Sequence, residues 1–155
     1  MQRRSTAERG RARIFLLLAA AGFFIGLAFY TFLYARGLSY FNNDPETCMN
    51  CHVMRNHFDA WNRSSHKAAA VCNSCHTPKN LIGKYAVKGL NGWNHGSAFT
   101  TGRFPEPFQI KPLNKKVVLD NCIRCHETMV HEMRVRSGEE WPDCTSCHRH
   151  VGHDD

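Results

Sequence analysis

Residues 48–54 read Cys48-Met49-Asn50-Cys51-His52-Val53-Met54, and the first five decide what kind of domain this is. Two cysteines three positions apart can reach the two vinyl groups of one porphyrin as thioethers. The histidine that follows at once then sits beneath the iron. The pattern returns as Cys72-Asn73-Ser74-Cys75-His76, Cys122-Ile123-Arg124-Cys125-His126 and Cys144-Thr145-Ser146-Cys147-His148. These four copies use all eight cysteines of the chain. The spacing predicts four covalently bound c-type haems, attached through Cys48, Cys51, Cys72, Cys75, Cys122, Cys125, Cys144 and Cys147. His52, His76, His126 and His148 are the proximal candidates.

The rival chemistries explain less. Twenty residues separate Cys51 from Cys72, a spacing that suits a zinc ribbon, but zinc gives no reason for a histidine after every pair. Disulfides leave the same histidines unexplained, and no βαβ pattern supports a thioredoxin-like redox pair. The formal charge of +7 admits nucleic acid as a partner, yet no nucleic-acid-binding motif is present. The propionates of four haems, roughly eight negative charges, offset the excess. No nucleic-acid partner is expected.

Upstream, Ile14 to Ala35 reads IFLLLAAAGFFIGLAFYTFLYA, 22 residues without a charge. At a rise of about 1.5 Å per residue it spans about 33 Å, enough for a bilayer's hydrocarbon core. The apolar stretch of a cleaved signal peptide is shorter, about 7 to 15 residues. Arg3, Arg4, Arg9, Arg11 and Arg13 precede the run and only Arg36 follows closely, so the positive-inside rule leaves the N-terminus in the cytoplasm. Arg3-Arg4 reads as part of that charge bias rather than as an export signal. Tyr30, Tyr34 and Tyr40 would mark the outer interface. Haems of this kind are attached after export, on the periplasmic side in bacteria, in agreement with that topology. The expected organisation is a cytoplasmic N-terminus (1–13), a single transmembrane anchor (14–35) in the inner membrane and a periplasmic tetrahaem domain (36–155).

The remaining residues show little sustained periodicity and no strand pattern. The expected fold is therefore mostly α: one N-terminal transmembrane helix, then a small helical and irregular domain packed around its cofactors. Asp44-Pro45-Glu46 has the chemistry of a helix start, with an Asp cap, Pro at the first position and an acid at the positive dipole end. That helix would carry the first cysteine pair. Lys115 to about Val135 is a second expected helix, carrying the third pair. Gly102 to Pro112, with three prolines, reads as a surface loop.

Four haems offer eight axial positions, and the motif histidines fill at most four. His57, His66, His95, His131, His150 and His153 remain, with Met54 as a possible thioether ligand. His66, six residues before Cys72, and His153, five after His148, lie where a short segment reaches a neighbouring haem. His150 is so near His148 that solvent is its natural environment. For Met54 the alternative is an ordinary filler of irregular core space.

An anchor, then C-x-x-C-H-x-M, then three further haem motifs and a terminal histidine resembles the NapC/NirT family of quinol dehydrogenases. The likeness is strongest to the compact four-haem form that serves a cytochrome c nitrite reductase. It covers nearly the whole chain through Cys48 to Met54, His66 with Cys72 to His76, Asn80 to Lys88, and Cys144 to His153. The resemblance implies Met54 rather than His52 as ligand to the first, quinol-facing haem. It gives His153 to the second haem and His66 to the third, and completes the fourth with a lysine from the catalytic partner. It also implies that Lys88 hydrogen-bonds the quinol. One position departs: family members carry Asp seven residues after that lysine, and here it is His95. Its imidazole titrates near neutrality, so it is a candidate proton acceptor as well as a candidate ligand or cover of the first haem.

The function so implied is oxidation of menaquinol at the membrane surface and delivery of electrons to a periplasmic multihaem nitrite reductase catalytic subunit, which makes ammonium. The alternatives are a quinol dehydrogenase feeding another periplasmic reductase, for nitrate or trimethylamine N-oxide, and a passive anchored electron carrier with no quinol site. Membrane lipid and quinol are the other expected partners. The lysines between 79 and 116 face lipid headgroups or propionates, or form a solvated basic face.

Overall fold

The apolar run at Ile14–Ala35 is too long and too uniformly apolar to be anything but helical in lipid, where every backbone group must find its partner inside the segment. In the computed structural model, which describes residues 6–137 and 143–153, it belongs to α1, Thr6–Tyr34. Helix α1 starts earlier than the apolar run, because nothing between Thr6 and Arg13 breaks a helix. Glu8–Tyr34 is long and apolar enough to cross a membrane, with a mean hydropathy of 2.2. Its large side chains point outward all round, Phe15 at 72% exposure and Ile25 at 70%. Such a surface is stable only in an apolar solvent. Beyond Tyr34 the chain turns through Arg36 at a φ of 53° into a 3₁₀ turn, Gly37–Phe41. A Cβ at Gly37 would collide with the Phe32 ring.

The chain divides after Asn42, and the second unit is built from 3₁₀ turns, short helices and two long helices, among which the motifs are distributed. Asp44 caps the first 3₁₀ turn, Pro45–Asn50, by accepting from Glu46 N–H at 3.0 Å. The expected start is thus present, but the turn stops at Asn50 and leaves Cys51 extended. A second 3₁₀ turn, His52–Met54, leads into α2, Arg55–Arg63. The second motif forms α3, Cys72–His76. Helix α4 is Leu81–Thr101, α5 is Pro112–Ser137 and α6 is Cys144–Cys147. No strand occurs among the described residues. Helix α5 contains the expected Lys115–Val135 segment, with Pro112 at its first turn where the missing N–H costs nothing.

Helix α4 was not foreseen. Gly83, Gly89, Gly92 and Gly96 suppress its propensity, but both of its ends are marked. Asn80 accepts from Gly83 N–H at 2.6 Å, and Gly102 closes the helix at a φ of 66°. Gly83 is needed for that cap, since a Cβ there would lie 2.8 Å from Asn80 Oδ1.

Among the described residues Val87 and Val117 are the buried large apolar ones, joined by the buried polar Thr77 and Asn121. So small an apolar core cannot by itself order a domain of this size. Polar ties do much of the local work. Asn91 and Asn114 exchange two amide bonds, 3.2 and 2.9 Å, between α4 and α5. Asn121 on α5 donates to the Cys75 carbonyl at 2.8 Å and to the Thr77 carbonyl at 3.0 Å.

Candidate haem and quinol sites

The four motifs adopt different local structures for local reasons. In α3, Ser74 accepts from Val71 N–H through Oγ at 3.2 Å and returns its own N–H to the Val71 carbonyl at 2.7 Å. In α6, Asp143 is the cap, accepting from Thr145 N–H at 3.0 Å and Thr145 Oγ–H at 2.6 Å. Lys115 at the start of α5 holds that carboxylate at 2.5 Å, so the fourth motif is tied to the helix that carries the third. Arg124, inside the third motif, donates to the Ser74 carbonyl in the second at 3.2 Å.

Neighbouring motifs approach each other in chain order. The Cys72 and Cys48 sulfurs are hydrogen-bonded, which brings the Cys48 thiol down to about 7 and pushes the Cys72 thiol up. Burial raises Cys75, and the nearby Cys125 raises it further. Cys122 is raised by burial, then by Cys144 and Cys75. First meets second, second meets third, and third meets fourth. Among the described residues no three His, Cys, Asp or Glu side chains converge to hold a metal directly, as a zinc ribbon would require.

The histidines pair across the fold. His76 of the second motif faces His153, ring centroids 6.0 Å apart and planes 11° apart. His126 of the third motif faces His66, with centroids 6.1 Å apart and planes at 70°. An iron between two imidazoles, about 2.0 Å from each nitrogen with roughly 1 Å more to each ring centre, sets the centroids about 6 Å apart. The residues present therefore fit the group that the motifs call for. Burial pushes His76 down to about 4, with His153 and His57 adding to the shift. Trp61 on α2 positions the His66 loop by donating Nε1–H to the Ala70 carbonyl at 3.0 Å. His52 is exposed and Met54 half-buried. Two residues apart on a 3₁₀ turn, they face different ways. His148 is exposed at the end of α6.

Helix α4 carries the two candidate quinol residues. Lys88 is half-buried; burial and the Lys84 ammonium lower its pKa, while the nearby Cys48 raises it. Both ammonium groups flank the Tyr85 ring, at 5.7 Å for Lys84 and 6.0 Å for Lys88. Lys88 is thus beside the first cysteine of the first motif. His95 is seven residues further on and so on the same face, about 10 Å along the axis. Partial desolvation and the Lys111 ammonium lower its pKa. Sequence reasoning left His57 and His131 unassigned, and the ring of His57 lies 4.8 Å from that of His153. The signal for His57 was its place one helical turn after Met54.

A membrane-spanning helix joined to a small domain of haem-attachment motifs, with histidines paired across the fold, defines a membrane-anchored multihaem cytochrome c. The chain belongs to the NapC/NirT cytochrome c family, whose N-terminal region matches residues 9–112. It is 35% identical over 140 residues to the cytochrome c-type protein NrfH of Wolinella succinogenes, covering 83% of this chain and 79% of that one. It is 34% identical over 148 residues to the cytochrome c nitrite reductase subunit NrfH of Nitratidesulfovibrio vulgaris, covering 95% and 88%. In fold it is similar to a chain in the crystal structure of the cytochrome c nitrite reductase NrfHA complex bound to the HQNO inhibitor. The TM-score is 0.62 at 28% identity, with 90% of each chain covered. Membership establishes haem c as the cofactor and α1 as a single-pass membrane anchor.

Proposed function

We propose that this chain is the membrane-anchored quinol dehydrogenase subunit of a cytochrome c nitrite reductase. It oxidises menaquinol and serves a periplasmic multihaem catalytic subunit that reduces nitrite to ammonium. The observation that carries this reading is the pair of cross-fold histidine couples, each joining a motif histidine to a distant one at the spacing of two axial ligands. The relatives named as subunits of nitrite reductase supply the partner. HQNO, whose hydroxyquinoline head mimics a quinol ring, is bound in the similar complex and supports the substrate class.

In this reading residues 1–13 are cytoplasmic, 14–35 cross the inner membrane, and 36–155 are periplasmic. The cysteine pairs hold four haems, which supply one-electron carriage from quinol to partner. His76 with His153 holds the second iron and His126 with His66 the third. Met54, half-buried where His52 is exposed, would hold the first, and a thioether there would favour the reduced state. His148 holds the fourth, and a lysine of the catalytic subunit completes it. Lys88 hydrogen-bonds a quinol oxygen beside the first motif. His95, a neutral imidazole seven residues along the same helix face, is the acceptor for the released proton.

Detergent-solubilised membranes containing the tagged chain test this directly. The expected result is four haems per chain by pyridine haemochrome, co-purification of a multihaem nitrite reductase, and ammonium formation driven by a menaquinol analogue. Co-purification of a nitrate or trimethylamine N-oxide reductase instead would overturn the assignment of partner.

A further inference from the structure

His57 has no part in the reading above, yet it is placed among groups that do. Helix α2 starts directly after Met54, so His57 stands one turn beyond the residue assigned to the first haem. Its ring meets that of His153 at 4.8 Å with planes 69° apart, and the Nδ1 atoms of both rings are buried. It also lies close enough to His76 to affect that ring. Three imidazoles therefore gather where the second motif needs two.

The distances separate their roles. Two rings on opposite sides of one iron stand about 6 Å apart, as His76 and His153 do. His57 and His153, at 4.8 Å and nearly perpendicular, are too close for that. Their separation suits an edge N–H of one ring directed at a nitrogen of the other. An imidazole that binds metal through one nitrogen keeps a proton on the second, and that N–H is nearly always donated to an acceptor that fixes the ring and raises its basicity.

We propose that His57 is a positioning residue for the second haem: as a neutral imidazole it accepts the free N–H of His153, fixing that ligand's ring plane and increasing its basicity. The inference rests on the assignment of His153 as ligand. A more basic ligand favours the oxidised iron, so His57 lowers the potential of the second haem. The first turn of α2 then carries the orienting group of the second haem directly after Met54, the residue assigned to the first. A shift of this helix therefore acts on both.

The test uses the full-length haem-loaded chain in detergent, with haem content, ferric EPR and a spectroelectrochemical titration as readouts. His57→Phe keeps ring volume and removes the acceptor. It is expected to retain four haems and two low-spin bis-histidine signals, while raising one potential and shifting one of those low-spin signals. His57→Gln, whose side-chain oxygen accepts the same N–H, is expected to return both readouts toward the parent. Should His57→Phe fail to assemble four haems, His57→Ala against His57→Gln decides by the same readouts. His153→Ala is the control, expected to convert one haem to high spin. If it does so while His57→Phe leaves every potential and signal unchanged, the role of His57 is refuted and the ligand assignment stands. If His153→Ala changes nothing, the ligand assignment falls and takes this inference with it. One more high-spin haem in His57→Phe than in the parent makes His57 itself a ligand and overturns the positioning role.

Discussion

Asn121 offers the sharpest test of how the second and third motifs are held together. It is 8% exposed, and its amide nitrogen donates to the carbonyls of Cys75 at 2.8 Å and Thr77 at 3.0 Å. Asn121→Ala removes both donors. At about 1 kcal/mol net for each hydrogen bond, the loss is about 2 kcal/mol. Urea unfolding of small proteins has a slope of about 1–3 kcal/mol per molar, so the midpoint should fall by about 1 M. Asn121→Asp should cost more than Ala, since it also directs a carboxylate at two carbonyl oxygens. The assay is loss of the low-spin haem spectrum on urea titration of the detergent-solubilised chain. Covalently attached haems remain on the unfolded chain in parent and variant alike, so their contribution largely cancels. A midpoint shift below about 0.2 M for Asn121→Ala would refute the idea that polar ties substitute for an apolar core here.

Other expectations concern separate parts of the molecule. Lys88→Leu should retain four haems and abolish most quinol-dependent reduction of them, while dithionite still reduces the chain fully; unchanged quinol oxidation would favour a passive electron carrier. His66→Ala should turn one low-spin haem high-spin without loss of haem, read from the ferric EPR spectrum. Gly102→Ala, forcing a side chain into a φ of 66°, should destabilise the end of α4 by about 1 kcal/mol, seen as faster amide exchange there. Lys115 depresses the carboxyl of Asp143 below its ordinary 3.8. The pair's contribution is therefore complete above that value and is lost as pH falls through the depressed one. Proteolytic protection of the C-terminal segment should differ between parent and Lys115→Met at neutral pH and converge in acid.

What the sequence determined alone is chemistry confined to a few neighbouring residues. Each Cys-x-x-Cys-His is complete within five positions, so its attachment chemistry does not depend on the remainder of the fold. The anchor is equally local, because a bilayer reads only length and polarity. The Asp44 start was visible through its cap and the body of α5 through Lys115–Val135, whereas Pro112, which reads as the end of a loop, opens that helix. Helix α4 was hidden because four glycines mask its interior, although Asn80 and Gly102 marked its limits. The tertiary structure alone decided which histidines meet. His66 faces His126 across 60 residues of chain and His153 faces His76 across 77. No periodicity encodes separations of that length. They arise because Asn121 and Arg124 seat α5 against the second motif and because Trp61 closes the His66 loop. His57 became visible for the same reason, since only the folded chain brings α2 to the C-terminal histidine.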